Sequence, residues 1–178
     1  DPYYYSVYCL GEWGVLGQTI FDARKVNQRL AEAAGPLKRG EFVFSTRYSQ
    51  EAGQVMIDDE SIRWVEHTDG PIKVYQEPVA GAPYVIGADT AGEGSDFNVG
   101  QVIGCHSGQQ VCTIRGRMDE DLFAKQLYCL GKYYNNALVS IEANFSSYPI
   151  RELERLRYPR QYVRQVEDSF THRVRQSY

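Results

Sequence analysis

The order of apolar segments predicts an α/β fold: a mixed five-stranded sheet flanked by helices, with a small N-terminal accessory β unit. Three observations carry that prediction. Between residues 84 and 117, three apolar, β-branched runs are separated only by short turn signals at 92–95 and 107–108, the pattern of an antiparallel meander. After Asp119 the rhythm changes to helical spacing, then returns to a strand ending at Glu142, followed by a second helix and a fifth strand. A strand that returns after a helical crossover lies parallel to its neighbour, so strands one to three are antiparallel and strands one, four and five parallel.

Each element has a local reason. Residues 1–17 are aromatic and turn-rich, with Trp13 set among glycines. Asp22 is a good N-cap for a helix in which Val26, Leu30 and Ala33 or Ala34 recur at helical spacing, and Gly35-Pro36 stops it. The segments 41–45, 54–57, 62–67 and 72–76 alternate apolar and polar residues between turn signals such as Asp58-Asp59 and Asp69-Gly70-Pro71, which predicts the accessory unit. The meander strands are placed at 84–89, 97–104 and 109–117. Asp119 then caps a helix whose Phe123, Leu127, Leu130 and Tyr134 form one apolar face, and Asn135-Asn136 ends it. Strand four is placed at 138–142, a second helix from Pro149 to Leu156, and strand five at 162–166. Residues 1–83 thus form a linker helix and accessory segment, and residues 84–178 the core.

Composition narrows the function classes. A chain of 178 residues with 43% hydrophobic content supports a real core. No stretch reaches the roughly 20 apolar residues of a membrane span, and the first residues lack a basic region followed by an apolar one. A soluble intracellular protein with no membrane partner is the expectation. Cys9, Cys105, Cys112 and Cys129 form no CxxC pair, so free buried thiols in a reducing compartment are expected rather than a zinc site. The net charge of −4 argues mildly against nucleic acid, but residues 151–178 hold seven arginines against four acids, a local +3 able to track phosphates. An arginine-rich solvated face explains that stripe as readily. No phosphate-binding Gly-x-x-x-x-Gly-Lys-Ser/Thr loop occurs, and Gly92-Glu93-Gly94 reads as a turn.

The chemistry concentrates in two acids. Asp89 and Glu142 each close a short β-branched run, at the sheet edge where α/β sites collect. With strands one and four adjacent, the two meet. Carboxylates about 4 Å apart repel by roughly 4 kcal/mol at an effective dielectric near 20, so their meeting calls for a cation, Mg²⁺ or Mn²⁺ given oxygen ligands. An Asp-initiated turn before Gly92 is the plainer reading of Asp89 alone. Asp96 is a further ligand candidate or a cap on the turn before strand two, and Asn144 orients a ligand or makes an Asx turn. Glu93 reads as exposed, and His106 and His172 each stand alone. Arg160 and Arg164 flank strand five and meet DNA phosphates or pair at a strand edge.

The motifs Gly87-Ala88-Asp89-Thr90-Ala91-Gly92 with Asp96 beyond, and Tyr133-Tyr134-Asn135-Asn136-Ala137-Leu138-Val139-Ser140-Ile141-Glu142-Ala143-Asn144, resemble the C-terminal nuclease domain of the large terminase subunit of tailed bacteriophages, a ribonuclease-H-like fold. The upstream Tyr8-Cys9-Leu10-Gly11-Glu12-Trp13-Gly14 looks like the segment that follows the packaging ATPase in that family. The resemblance implies a two-metal endonuclease that cuts concatemeric viral DNA, with Asp89 and Glu142 as metal ligands and Asp96 as a nearby one. It implies double-stranded DNA, a portal protein and a small terminase subunit as partners, in the cytoplasm of an infected or lysogenic bacterial host. Two features depart from the family. Its third acid comes from a helix beyond strand five, past Tyr178, and Phe145-Ser146-Ser147 replaces a frequent glycine turn. A docking module of the motor without catalysis, or a resolvase or transposase-type nuclease on the same sheet, are the competing expectations.

Overall fold

The computed structural model describes residue 9 and residues 21–91, 96–143, 146–167 and 174–177, the last four and 164–167 as backbone only. It divides into two compact units, residues 1–35 and residues 36–178. In the first, helix α1 (Ala23–Glu32) begins where the Asp22 carboxylate accepts from the N–H groups of Arg24 and Lys25 at 2.9 and 3.1 Å. That cap satisfies two of the four amides that a helix start leaves without partners.

The second unit holds a large, mostly antiparallel sheet with helices on one face. Its strands are β1 (Lys38–Val43), β2 (Thr46–Ser49), β3 (Gln54–Ile57), β4 (Arg63–Glu66), β5 (Ile72–Val74), β6 (Tyr84–Asp89), β7 (Asn98–Gly104), β8 (Gln110–Gly116), β9 (Leu138–Ile141), β10 (Arg164–Glu167) and β11 (Val174–Ser177). Helices α2 (Glu120–Tyr133) and α3 (Tyr148–Arg155) flank β9 in the chain. Seven strands form one sheet in the order β4-β1-β5-β8-β7-β6-β9. The meander β6-β7-β8 is antiparallel, and β9 joins β6 in parallel after the α2 crossover.

Two expectations about the sheet need correction. The sheet has seven strands, not five, because β1, β4 and β5 of the N-terminal segment extend it through β5–β8 pairing instead of standing apart. Within the N-terminal segment β2 and β3 pair in a hairpin outside this sheet, and β2 lies in a stretch with no apolar alternation to announce it. The expected fifth parallel strand also differs. Chain beside β9 is limited to one parallel bridge, Val139 to Gln161, after which β10 pairs antiparallel with β11 in its own ribbon. With Pro159 and Arg-rich sequence there, few apolar side chains are available to hold a full strand against β9.

Alternation within each strand places the core. Ile86, Ala88, Val102, Ile114, Val139 and Ile141 point to one face, where Phe123, Leu127, Leu130 and Tyr134 of the α2 stripe and Ile150 and Leu153 of α3 cover them. Burying each such side chain contributes about 1.5–3 kcal/mol. Helix α2 ends at the expected Asn135-Asn136, both left-handed with φ 56° and 55°. Asn tolerates that conformation better than other non-glycine residues, so the chain reverses there and starts β9 at once.

Candidate metal centre

The parallel register of β6 and β9 pairs Val85 with Leu138, Ile86 with Val139, Gly87 with Ser140 and Ala88 with Ile141. One residue further lie Asp89 and Glu142. The Glu142 N–H donates to the Ala88 carbonyl at 2.8 Å, so the ladder continues to that point. Adjacent strands are about 4.8 Å apart, and residues paired across a ladder share a face. Ala88 and Ile141 point into the core, so Asp89 and Glu142 both stand on the opposite, exposed face.

The row extends across the meander. Asp89 pairs with Val99 of β7, and Val99 with Arg115 of β8, giving Glu142, Asp89, Val99 and Arg115 in sequence across four strands. Gly87 lies two residues before Asp89 on this face, and a Cβ added there would meet no atom within 4 Å. The floor beside the two acids is therefore open. Loop geometry above the row depends on Asn98, which is buried at 4% exposure. Its amide oxygen accepts from the Ala91 N–H at 2.9 Å and its amide nitrogen donates to the Met118 carbonyl at 2.7 Å, tying the chain after Asp89 to the chain after β8.

The other sequence candidates fall elsewhere. Asp96 is exposed, in irregular chain two residues ahead of β7 and three ahead of Val99, and so stands outside the row. Among the described residues no group of three His, Cys, Asp or Glu side chains converges on a common point. Arg160 is exposed, and its carbonyl accepts from the Val139 N–H at 2.9 Å, which sets its backbone three residues short of Glu142. Arg164 has its backbone in β10, opposite Ser177. Its side chain, with Glu93, Asn144, His172, the 92–95 turn and the Tyr8-to-Gly14 motif apart from Cys9, lies outside the described residues. Of the cysteines, Cys112 and Cys129 are buried as expected, whereas Cys9 and Cys105 are exposed.

Sequence reasoning passed over the stack beside the acids. The Arg115 guanidinium lies 3.5 Å from the centre of the Phe97 ring and that of Arg117 lies 4.7 Å from it. Arg115 is in β8 and Arg117 one residue past its end, and the ring they share, not a charge block, brings them together. A cavity of about 540 Å³ opens away from the row, lined by Arg47, Asp58, Asp59, Tyr128, Lys132 and Arg157. Its cations are paired: Lys132 with Asp59 at 2.9 Å and Arg47 with Asp58 at 3.6 Å inside the cavity, and Arg157 with Glu51 at 2.9 Å outside it. The cavity's cations are already paired with carboxylates, whereas the row sets two carboxylates side by side at the ends of parallel strands.

No protein-family model matches the chain, and no curated protein matches it. Solved structures that resemble it include phage terminase nucleases. The large terminase nuclease from thermophilic phage G20c is 22% identical over 54% of this chain and 51% of that one, with a TM-score of 0.48. The same nuclease with bound magnesium is 22% identical over 49% and 47%, with a TM-score of 0.44. The large terminase nuclease domain of Thermus phage P74-26 is 18% identical over 62% of this chain and 77% of that one, with a TM-score of 0.36. The chain spans about half the length of the first of these. No helix among the described residues is long and apolar enough to cross a membrane.

Proposed function

We propose that this chain is the DNA endonuclease domain of a viral packaging terminase, with residues 84–178 as a ribonuclease-H-like core that cuts concatemeric DNA by two-metal phosphodiester hydrolysis. The observation that carries the reading is Asp89 beside Glu142, on one exposed face at the ends of two parallel strands. The motifs around both acids, which resemble the terminase nuclease, support it.

The donor set fits a hard divalent cation: two carboxylates, within reach of solvent, on rigid neighbouring strands. Asp89 and Glu142 would hold Mg²⁺ or Mn²⁺, with Asp96 as an outlying ligand. When bound, such ions supply Lewis-acid neutralisation of phosphate charge and an acidified water. The chain's own contribution is placement. The β6–β9 ladder fixes both acids before any ligand arrives, and the open floor at Gly87 admits a phosphodiester close to the backbone. Arg160 and Arg164 are further phosphate contacts in this reading, and double-stranded DNA, a portal protein and a small terminase subunit are the partners, in the host cytoplasm.

Supercoiled plasmid nicked by this chain in Mn²⁺ or Mg²⁺ tests the reading. Asp89→Asn and Glu142→Gln are expected to reduce nicking at least a hundredfold, a loss of about 3 kcal/mol of transition-state stabilisation. A second readout is independent of turnover. Added Mn²⁺ should raise the melting temperature of the wild type and not that of Asp89→Asn. Undiminished nicking by Asp89→Asn would remove the pair from the chemistry.

A further inference from the structure

The exposed face that carries Asp89 and Glu142 also carries positive charge from β8. Arg115 sits two strands from Asp89 in the same row, about 10 Å away, and Arg117 follows one residue past the end of β8 with its guanidinium over the same Phe97 ring. Both are exposed. Among the described residues neither has a carboxylate within ion-pairing distance, although the chain as a whole is acid-rich at net −4. Instead both guanidinium groups lie over Phe97, at 3.5 and 4.7 Å from its ring centre. Stacking of this kind occupies the flat face of a guanidinium and leaves its five N–H donors, which lie in the plane, available to an oxyanion. It also reduces the rotamer freedom that a long side chain loses on binding.

We propose that Arg115 and Arg117, ordered by Phe97, form a phosphate clamp that seats the backbone of double-stranded DNA beside the carboxylate row. The clamp rests on the nuclease reading for its purpose, and on the stack itself for its chemistry. Phe97 is not a base-stacking platform here, since Arg115 already covers it. The contact is to backbone and carries no sequence preference. Two like-signed side chains at the end of β8 track one DNA strand, while the acids two strands away face the phosphodiester that lies across the sheet.

Binding of a fluorescein-labelled, mixed-sequence DNA duplex to the full chain, followed by anisotropy in EDTA across a salt series, tests this apart from cleavage. Arg115→Ala/Arg117→Ala should weaken binding roughly tenfold or more at low salt. It should also make the plot of log K against log salt shallower by about 1.8, two phosphate contacts at about 0.9 each. Phe97→Leu should keep the slope and lose affinity, because the charges remain and their ordering does not. Arg47→Ala/Arg63→Ala, on other strands, should leave the slope as it is. The melting temperature of the clamp variant should match wild type, since both side chains are exposed. A clamp variant with wild-type slope and affinity, or a wild type that does not bind the duplex, overturns the proposal. A wild type that binds through these arginines yet never nicks plasmid in Mg²⁺ or Mn²⁺ supports the clamp and overturns the nuclease reading alone.

Discussion

Gln126 shows how one residue closes the sheet. It is buried at 2% exposure on α2, and its amide meets both backbone groups of Phe42: the Phe42 N–H donates to its oxygen at 3.0 Å, and its nitrogen donates to the Phe42 carbonyl at 2.7 Å. Strand β5 pairs with β1 only from Lys38 to Gly40, so the edge of β1 beyond that point has no strand beside it. The helix amide stands in for the missing strand. Gln126→Leu keeps the volume and leaves a buried N–H and C=O without partners, which costs about 1–3 kcal/mol each at most. Urea unfolding should show a loss of about 2–4 kcal/mol with little change in the slope of the transition. Nothing in the sequence distinguishes this Gln from an exposed polar residue on an amphipathic helix. The positions of Asp89 and Glu142 are the opposite case, legible because each closes a β-branched run, which puts it at the end of a strand or one residue past it.

At the scale of an element, α2 was legible in full and its most restrictive position was not. The stripe of Phe123, Leu127, Leu130 and Tyr134 is 0% exposed throughout, as the helical spacing requires. Gly131 sits on the same helix and reads as a weak point, since glycine in a helix interior costs about 1 kcal/mol relative to alanine. The structure gives its reason. A Cβ there would run into the Tyr158 hydroxyl, which donates to the Ala137 carbonyl at 2.6 Å. Gly131→Ala should therefore lower thermal stability, by about 1–3 kcal/mol as an overpacked site, in spite of the better helix propensity. The double variant Gly131→Ala/Tyr158→Phe should recover part of the loss. A single variant that melts higher than wild type would refute the packing argument. Strand β10 marks the other limit of local reading: its pattern announces a strand and says nothing of its partner.

Across the whole molecule, burial of titratable groups sets the response to alkali. Desolvation pushes the Cys112 and Cys129 thiols up to about 12 from 9.0, and raises the hydroxyls of Tyr128, Tyr134 and Tyr158 as well. In the unfolded chain these groups lose protons near their ordinary values, while the folded chain holds them, so the unfolded state binds fewer protons and stability falls as pH rises. The contribution of the thiols is complete below about pH 9 and is lost between 9 and 12. Chemical denaturation at a series of pH values should show a plateau up to about pH 9 and a steady decline above it. A thiol-reactive dye should label Cys9 and Cys105 in the native chain, and Cys112 and Cys129 only after unfolding.

The sequence by itself determined the strand–helix rhythm of residues 84–156, the inward face of each element and the two acids at strand ends, because periodicity and chain reversal are local consequences of side-chain type. Tertiary structure decided what local pattern does not encode: that β5 adds β1 and β4 to the meander edge, that the chain after Gln161 leaves β9, and that Arg115, in the row of Asp89 and Glu142, gathers with Arg117 over Phe97. The reason is physical. A strand's hydrogen-bonding edges are the same whatever their partner, so pairing is chosen by which buried faces meet across the whole sheet.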